Sequence, residues 1–227
     1  MKVRIFTGFV IGVVLCLSLL FLPHIAVAIA FAIACALAIF EMLVALKHKY
    51  SKSAGTLCCI EIIMLILATA TVFASVDNLM MGYVVILCAL VDVGGYTAGK
   101  LAGKKGHKVS FLKTVSPNKT WEGYICGVIC CIVFGYLIYL PMKQYLPENA
   151  YIFSFFAWAP AIAGDLFESK IKRLLKVSDS GECATKYSNK LIKAIEKPIS
   201  SHGGYLDRID SFTFAIVAFE IFLALMP

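Results

Sequence analysis

The chain has 227 residues, 60% of them hydrophobic and 15% charged, with a mean hydropathy of +0.86 and a formal net charge of +7. Soluble domains are about 45–50% apolar and about 25% charged, so an ordinary soluble fold is excluded. A membrane β-barrel would show alternating strands of about ten residues, and no stretch alternates over that length, so the expected fold is all-α and polytopic.

Seven apolar runs follow one another, roughly 5–22, 24–46, 55–75, 79–98, 121–140, 150–166 and 211–226. Each approaches the ~17–25 residues that a spanning helix needs. Threaded as seven helices, the runs leave 20 of the 21 Lys and Arg on one side, with Lys143 opposite. Positive charge collects on cytoplasmic loops, which predicts a multi-pass protein of an inner membrane with its N-terminus and long loops in the cytoplasm. Topology therefore accounts for the net charge, and nucleic acid is not an expected partner. The first run, with Lys2, Arg4 and Ala26-Val27-Ala28, has features of a signal peptide. Its apolar core is too long and the chain stays apolar beyond it, so a retained helix is expected. The nine cysteines include the adjacent pairs Cys58-Cys59 and Cys130-Cys131 inside apolar runs. With no CxxC and no His at zinc spacing, they read as packing residues.

The chain is expected to form a single membrane domain over 1–227. Within it, 1–78 are scaffold helices, 79–211 carry the site and 212–227 complete the last span. In the scaffold, Glu41 and Glu61 lie near helix ends and read as structural. Glu220 lies deeper in the last run, where a charge costs about 3 kcal/mol on insertion scales, and two readings stay open for it, a pair partner or a packing oddity.

From the fourth run the pattern changes. Asp92 sits in an apolar helix, followed by Gly94, Gly95 and Gly99. A basic loop then leads to Ser116-Pro117-Asn118-Lys119-Thr120-Trp121-Glu122-Gly123 at the start of the next helix. Two readings stay open there: a capped helix with a snorkelling Lys and an interfacial Trp, or a phosphate site built from Ser, Asn and Lys at a helix N-terminus. The sixth run ends in GDLFESKIKRLLKVSDSG, where Asp165, Ser169 and Lys172 share a helix face and Glu168 can pair with Lys172 at i, i+4. Residues 185–197 place Tyr187, Leu191, Ile192 and Ile195 at helical spacing between lysines, as in a basic amphipathic helix on a membrane surface. His202-Gly203-Gly204 then permits a tight turn, and Asp207, Arg208 and Asp210 follow at the mouth of the last helix.

Asp92, Asp165, Asp179, Asp207 and Asp210 all fall near one membrane boundary, together with Lys119, Lys172, Arg173 and Arg208. Carboxylates plus phosphate oxygens suit Mg²⁺, and Lys, Arg and helix N-termini suit polyphosphates. The combination points to metal-assisted phosphoryl or nucleotidyl transfer, and its place at the membrane edge points to a lipid substrate.

Two blocks resemble the phosphatidate cytidylyltransferase (CDP-diglyceride synthase) family. One is Ser169-Lys170-Ile171-Lys172-Arg173 followed by His202-Gly203-Gly204-Tyr205-Leu206-Asp207-Arg208-Ile209-Asp210-Ser211, with Asp165-Leu166 ahead of it. The other is 92–123, and together they cover about a third of the chain. The resemblance implies transfer of the cytidylyl group of CTP to phosphatidate in the bilayer, giving CDP-diacylglycerol and pyrophosphate in phospholipid biosynthesis. Mg²⁺ is the implied cofactor, with a second cation as an extension and a homodimer as the assembly. Metal candidates are then Asp165, Asp207 and Asp210, followed by Asp179 and Asp92. Lys172, Arg173 and Arg208 would hold phosphates at the catalytic centre, where His202 with Gly203 and Gly204 would shape a phosphate-facing turn, and Ser116, Asn118, Lys119, Ser169, Gly203, Gly204 and Ser211 would bind substrate.

The chain departs from the family pattern in two places. Ser178 stands where the pattern has Lys, and Asp179 and His202 are separated by the extra segment 183–199. Two alternatives use the same carboxylates: a CTP-dependent lipid kinase or a cytidylyltransferase for another lipid phosphate, and, from another class, a transporter with a path over Glu41, Glu61, Asp92, Asp165 and Glu220. No internal repeat of the transporter kind is visible.

Overall fold

A computed structural model describes residues 14–15, 17–49, 51–103, 106–112, 114–117, 119–178 and 204–226. Most of the first apolar run lies outside them, as do Asn118, Asp179, the segment 183–199, His202 and Gly203.

Among the described residues the regular structure is helical, apart from one β-bridge between Lys108 and Thr120. The helices are α1 His24–His48, α2 Lys52–Ala74, α3 Asn78–Ala102, α4 Trp121–Met142, α5 Ala150–Phe153, α6 Trp158–Leu175 and α7 Leu206–Leu225. Polar residues set several of their starts, where the first N–H groups lack an intrahelical acceptor. Ser51 accepts the N–H of Ala54, Asp77 accepts those of Leu79 and Met80, and Thr120 accepts that of Gly123. Among the described residues four helices, α1 to α4, are long and apolar enough to cross a membrane. Their outward faces stay apolar, as along Ile125, Ile129, Val133 and Leu137 of α4, all exposed at four-residue spacing. Such surfaces are stable against acyl chains, and the chain is an all-α, multi-pass membrane protein.

The sixth apolar run is not one continuous helix. After α5 the chain makes i→i−3 bonds at Ser154, Phe155 and Phe156 before α6 starts at Trp158. Pro160 explains the break. Inside an uninterrupted helix its ring would clash with the carbonyl of residue 156, whereas in the first turn of α6 its missing N–H costs nothing. The last helix starts earlier than its apolar run, so Asp207, Arg208 and Asp210 are already helical.

The described residues fall into two compact units. One holds the chain up to Gly82 together with Leu175–Ile209. In it α1 and α2 form a hairpin whose buried positions (Ala28, Phe31, Cys35, Ala38, Met42 and Ala45 on α1; Ala54, Cys58, Glu61, Leu65, Ala68 and Val72 on α2) alternate at spacings of three and four. That is the seam of close helix packing, with small residues allowing close approach. Glu41 joins the α1 face at 1% exposure and accepts the backbone N–H groups of Tyr205 (2.9 Å) and Leu206 (3.2 Å), which start α7. The other unit holds Tyr83–Leu174 and the chain from Asp210.

Candidate active site

The second unit contains an open-sided cavity of about 520 Å³, within the usual range for small-molecule sites. Glycines create it. On α4, a Cβ at Gly127 would lie 2.7 Å from the Val91 carbonyl oxygen of α3, and one at Gly123 would lie 2.8 Å from that of Gly95. The two backbones therefore cross at glycine distance, and the cavity opens beside that crossing. It is lined by Asp92, Gly95, Tyr96, Gly99 and Lys100 of α3, Gly123, Tyr124 and Gly127 of α4, Ile162 and Asp165 of α6, and Ser116, Lys119 and Thr120 of the intervening loop.

The loop is held from both ends. The bridge of Lys108 with Thr120 and the bond from Val109 N–H to the Lys119 carbonyl (3.2 Å) pair its two sides. His107 clamps it to α4, with its backbone N–H on both Glu122 oxygens (3.0 and 3.1 Å) and its Nδ1 2.6 Å from Glu122 Oε1. This closure carries Lys119 into the cavity, where Nζ is 2.6 Å from Asp165 Oδ2. Burial alone would lower the Lys119 pKa, but the Asp165 carboxylate, helped by Tyr124 and Asp92, holds the ammonium above the ordinary lysine value. The loop also caps the helix that follows it. The N-cap of α4 is Thr120, and the Trp121 N–H goes to the His107 carbonyl (2.9 Å). Two of the first N–H groups are thus used internally, while Ser116 and Lys119 line the cavity.

Asp210 and Ser211 come close to Asp165 through another glycine. A Cβ on Gly164 would collide with the Asp210 carbonyl oxygen, so α7 packs directly on the turn of α6 that carries Asp165. The Asp210 carboxylate accepts the N–H of Ser211 (2.7 Å), and the Ser211 carbonyl accepts from the Cys88 thiol one turn before Asp92 (3.8 Å). Ser169 and Lys172 lie farther along α6. Lys172 makes the expected pair with Glu168 (2.6 Å), and Arg173 Nε donates to the Val115 carbonyl (3.3 Å), tying α6 to the loop. In the first unit, Asp207 accepts the Gly204 N–H (3.1 Å) and Arg208 is exposed.

Asp92, Asp165, Lys119 and Ser116 are thus brought to one cavity, with Asp210 and Ser211 adjoining. The expectations at Asn118, Asp179, His202 and Gly203 lie outside the described residues. Lys100, Tyr96 and Tyr124 also line the cavity and were not singled out from the sequence. The i, i+4 pairs Gly95/Gly99 and Gly123/Gly127 were the signal that these helices approach closely enough to share a site.

Among the described residues no three His, Cys, Asp or Glu side chains form a ready-made metal cage. The side-chain acceptors that line the cavity, the carboxylates of Asp92 and Asp165 and the hydroxyls of Ser116, Thr120, Tyr96 and Tyr124, are all oxygen. That suits Mg²⁺, which binds through one or two carboxylates and fills its sphere with water and substrate phosphate.

A profile of the cytidylyltransferase family matches residues 54–185, more than half of the chain, including Asp92, Ser116, Lys119 and Asp165. The chain belongs to this family. Phosphatidate cytidylyltransferase of Helicobacter pylori strain J99 is 34% identical over 141 residues, 62% of this chain and 46% of that protein. The Haemophilus influenzae protein of the same name is 34% identical over 145 residues, 62% of this chain and 44% of that one. Phosphatidate cytidylyltransferase 4, chloroplastic, of Arabidopsis thaliana is 36% identical over 125 residues, 54% of this chain and 27% of the relative. The matched stretch thus spans less than half the length of each relative.

Proposed function

We propose that the protein transfers the cytidylyl group of CTP to phosphatidate, giving CDP-diacylglycerol and pyrophosphate. The observation that carries the proposal is the cavity where Lys119, Asp165, Asp92 and Ser116 converge, in a family member whose relatives are named for this activity. In the reaction a phosphate oxygen of phosphatidate attacks the α-phosphorus of CTP. A new P–O bond forms, the bond from the α-phosphorus to the bridging oxygen of the β-phosphate breaks, and pyrophosphate leaves with that electron pair. The attacking oxygen is already anionic, so the site needs no strong general base. Lys119 and Ser116 would hold phosphate oxygens, and Asp92 and Asp165 would hold Mg²⁺, with Asp210 behind them. A bound Mg²⁺ supplies charge neutralisation on the reacting phosphates.

Roles for Lys172, Arg173, Asp207 and Arg208, and for Asp179, His202 and Gly203, rest on the sequence resemblance. The proposed setting is an inner membrane with the site loops on the cytoplasmic side, supported by the bias of Lys and Arg to one side of the apolar runs.

The test uses purified protein, phosphatidate, Mg²⁺ and CTP labelled at either the α- or the γ-phosphorus. Label entering lipid from α-labelled CTP alone supports the proposal. Label entering a dephosphorylated lipid from γ-labelled CTP alone would make the protein a lipid kinase.

A further inference from the structure

The cavity has a second cation at its rim. Lys100 lines it from the last turn of α3, with Nζ 5.6 Å from the ring centroid of Tyr96, one turn back. Lys119 is engaged by Asp165, whereas Lys100 forms no ion pair among the described residues. The rim lies on a helix long and apolar enough to cross a membrane. Val93, Tyr96 and Leu101 are 61%, 63% and 88% exposed, on a span whose other flank (Val91, Gly95 and Gly99) lines the cavity. Tyr96 and Lys100 belong to both surfaces. At this edge acyl chains and a polar interior meet within one helical turn. A nucleotide arriving from water gains nothing from an apolar border, but a lipid with an anionic headgroup does. Lys100 sits two residues from the end of α3, where a lysine stem can lie along apolar surface with its ammonium at headgroup level.

We propose that the lipid acceptor enters the cavity laterally across the Tyr96–Lys100 edge, with Lys100 binding its phosphate and Tyr96 separating headgroup from chains. This rests on the function proposed above and adds to it the route of the lipid and the residue that reads its charge.

The experiment measures initial rates in mixed micelles, varying phosphatidate at saturating CTP and CTP at saturating phosphatidate, for wild type, Lys100→Ala and Lys100→Arg. Losing one charge-assisted contact should raise the lipid KM of Lys100→Ala by about tenfold. Its kcat and CTP KM should stay near wild type, and Lys100→Arg should restore the lipid KM. An interfacial anchor with no substrate role would change expression or thermal stability and leave the lipid KM alone, which overturns the proposal. A rise in CTP KM instead would assign Lys100 to the nucleotide and also overturn it. Retention of phosphatidate over phosphatidylcholine in nanodiscs without CTP, followed by native mass spectrometry, separates failure of this inference from failure of the function. Retention that depends on Lys100 in a protein that transfers no cytidylyl group sinks the function and leaves the edge. Transfer with retention unaffected by Lys100→Ala sinks the edge.

Discussion

The carboxylate of Glu41 accepts the backbone N–H of Tyr205 at 2.9 Å, across 164 positions of sequence, and its second oxygen takes the next N–H, that of Leu206. A side chain buried in α1 thereby caps α7 just before Asp207. Removing the carboxylate takes away the acceptor of the buried Leu206 N–H, at a cost of about 1–3 kcal/mol, and weakens the hold on the half-buried Tyr205 N–H. Glu41→Ala should therefore lower Tm and speed amide exchange at Tyr205 and Leu206, with Glu41→Gln intermediate because one acceptor oxygen remains. Unchanged exchange at both amides would show that the cap is not made.

The Lys119–Asp165 pair has a pH signature. The folded-state pKa of Lys119 is raised above its ordinary value. Its contribution to stability is therefore complete below the unfolded value and fades only as pH climbs through the folded one. The Tm gap between wild type and Lys119→Met, in detergent without nucleotide, should stay constant from about pH 7 to about pH 9 and shrink only above about pH 10.4. A gap that closes between neutral pH and pH 9 would contradict the pairing.

Gly127 faces the Val91 carbonyl where α3 and α4 cross. Gly127→Ala must push backbone away from backbone, a strain on the order of 1–3 kcal/mol, and the displaced helices carry Asp92 on one side and Tyr124 on the other. Cytidylyl transfer should fall more steeply than stability, read as kcat/KM against Tm. Gly103, where a Cβ would meet nothing within 4 Å, has a positive φ of 54° and makes a poor control. Gly82, where a Cβ would lie 3.6 Å from a Leu19 methyl, is the better one, and Gly82→Ala should be near neutral.

Much of the site was legible because polar residues in apolar runs are conspicuous. Asp92 and Asp165 stand out from their surroundings, and the Glu168–Lys172 pair follows from helix spacing alone. Long-range partners leave no such mark. Nothing near Glu41 announces Tyr205, and nothing near Lys119 announces Asp165. The break between α5 and α6 is hidden because Phe155, Phe156 and Ala157 continue the apolar pattern, and only Pro160 betrays it. The start of α4 at Trp121 agrees with the apolar run 121–140, but nothing in Ser116-Pro117-Asn118 shows that the cap belongs to Thr120. Lys100 was one basic residue among many until the cavity gave it a position.

The central claim is that the cavity holding Asp92 and Asp165 is where the cytidylyl group moves. The most direct measurement is the initial rate of label transfer from α-labelled CTP to phosphatidate for wild type, Asp165→Asn and Asp92→Asn, with fold checked by circular dichroism and detergent-phase monodispersity. The account predicts that each variant stays folded and loses at least about a hundredfold in rate, as expected when a group that stabilises transition-state charge is removed. Folded variants that both transfer label at the wild-type rate would contradict it and move the reaction out of this cavity.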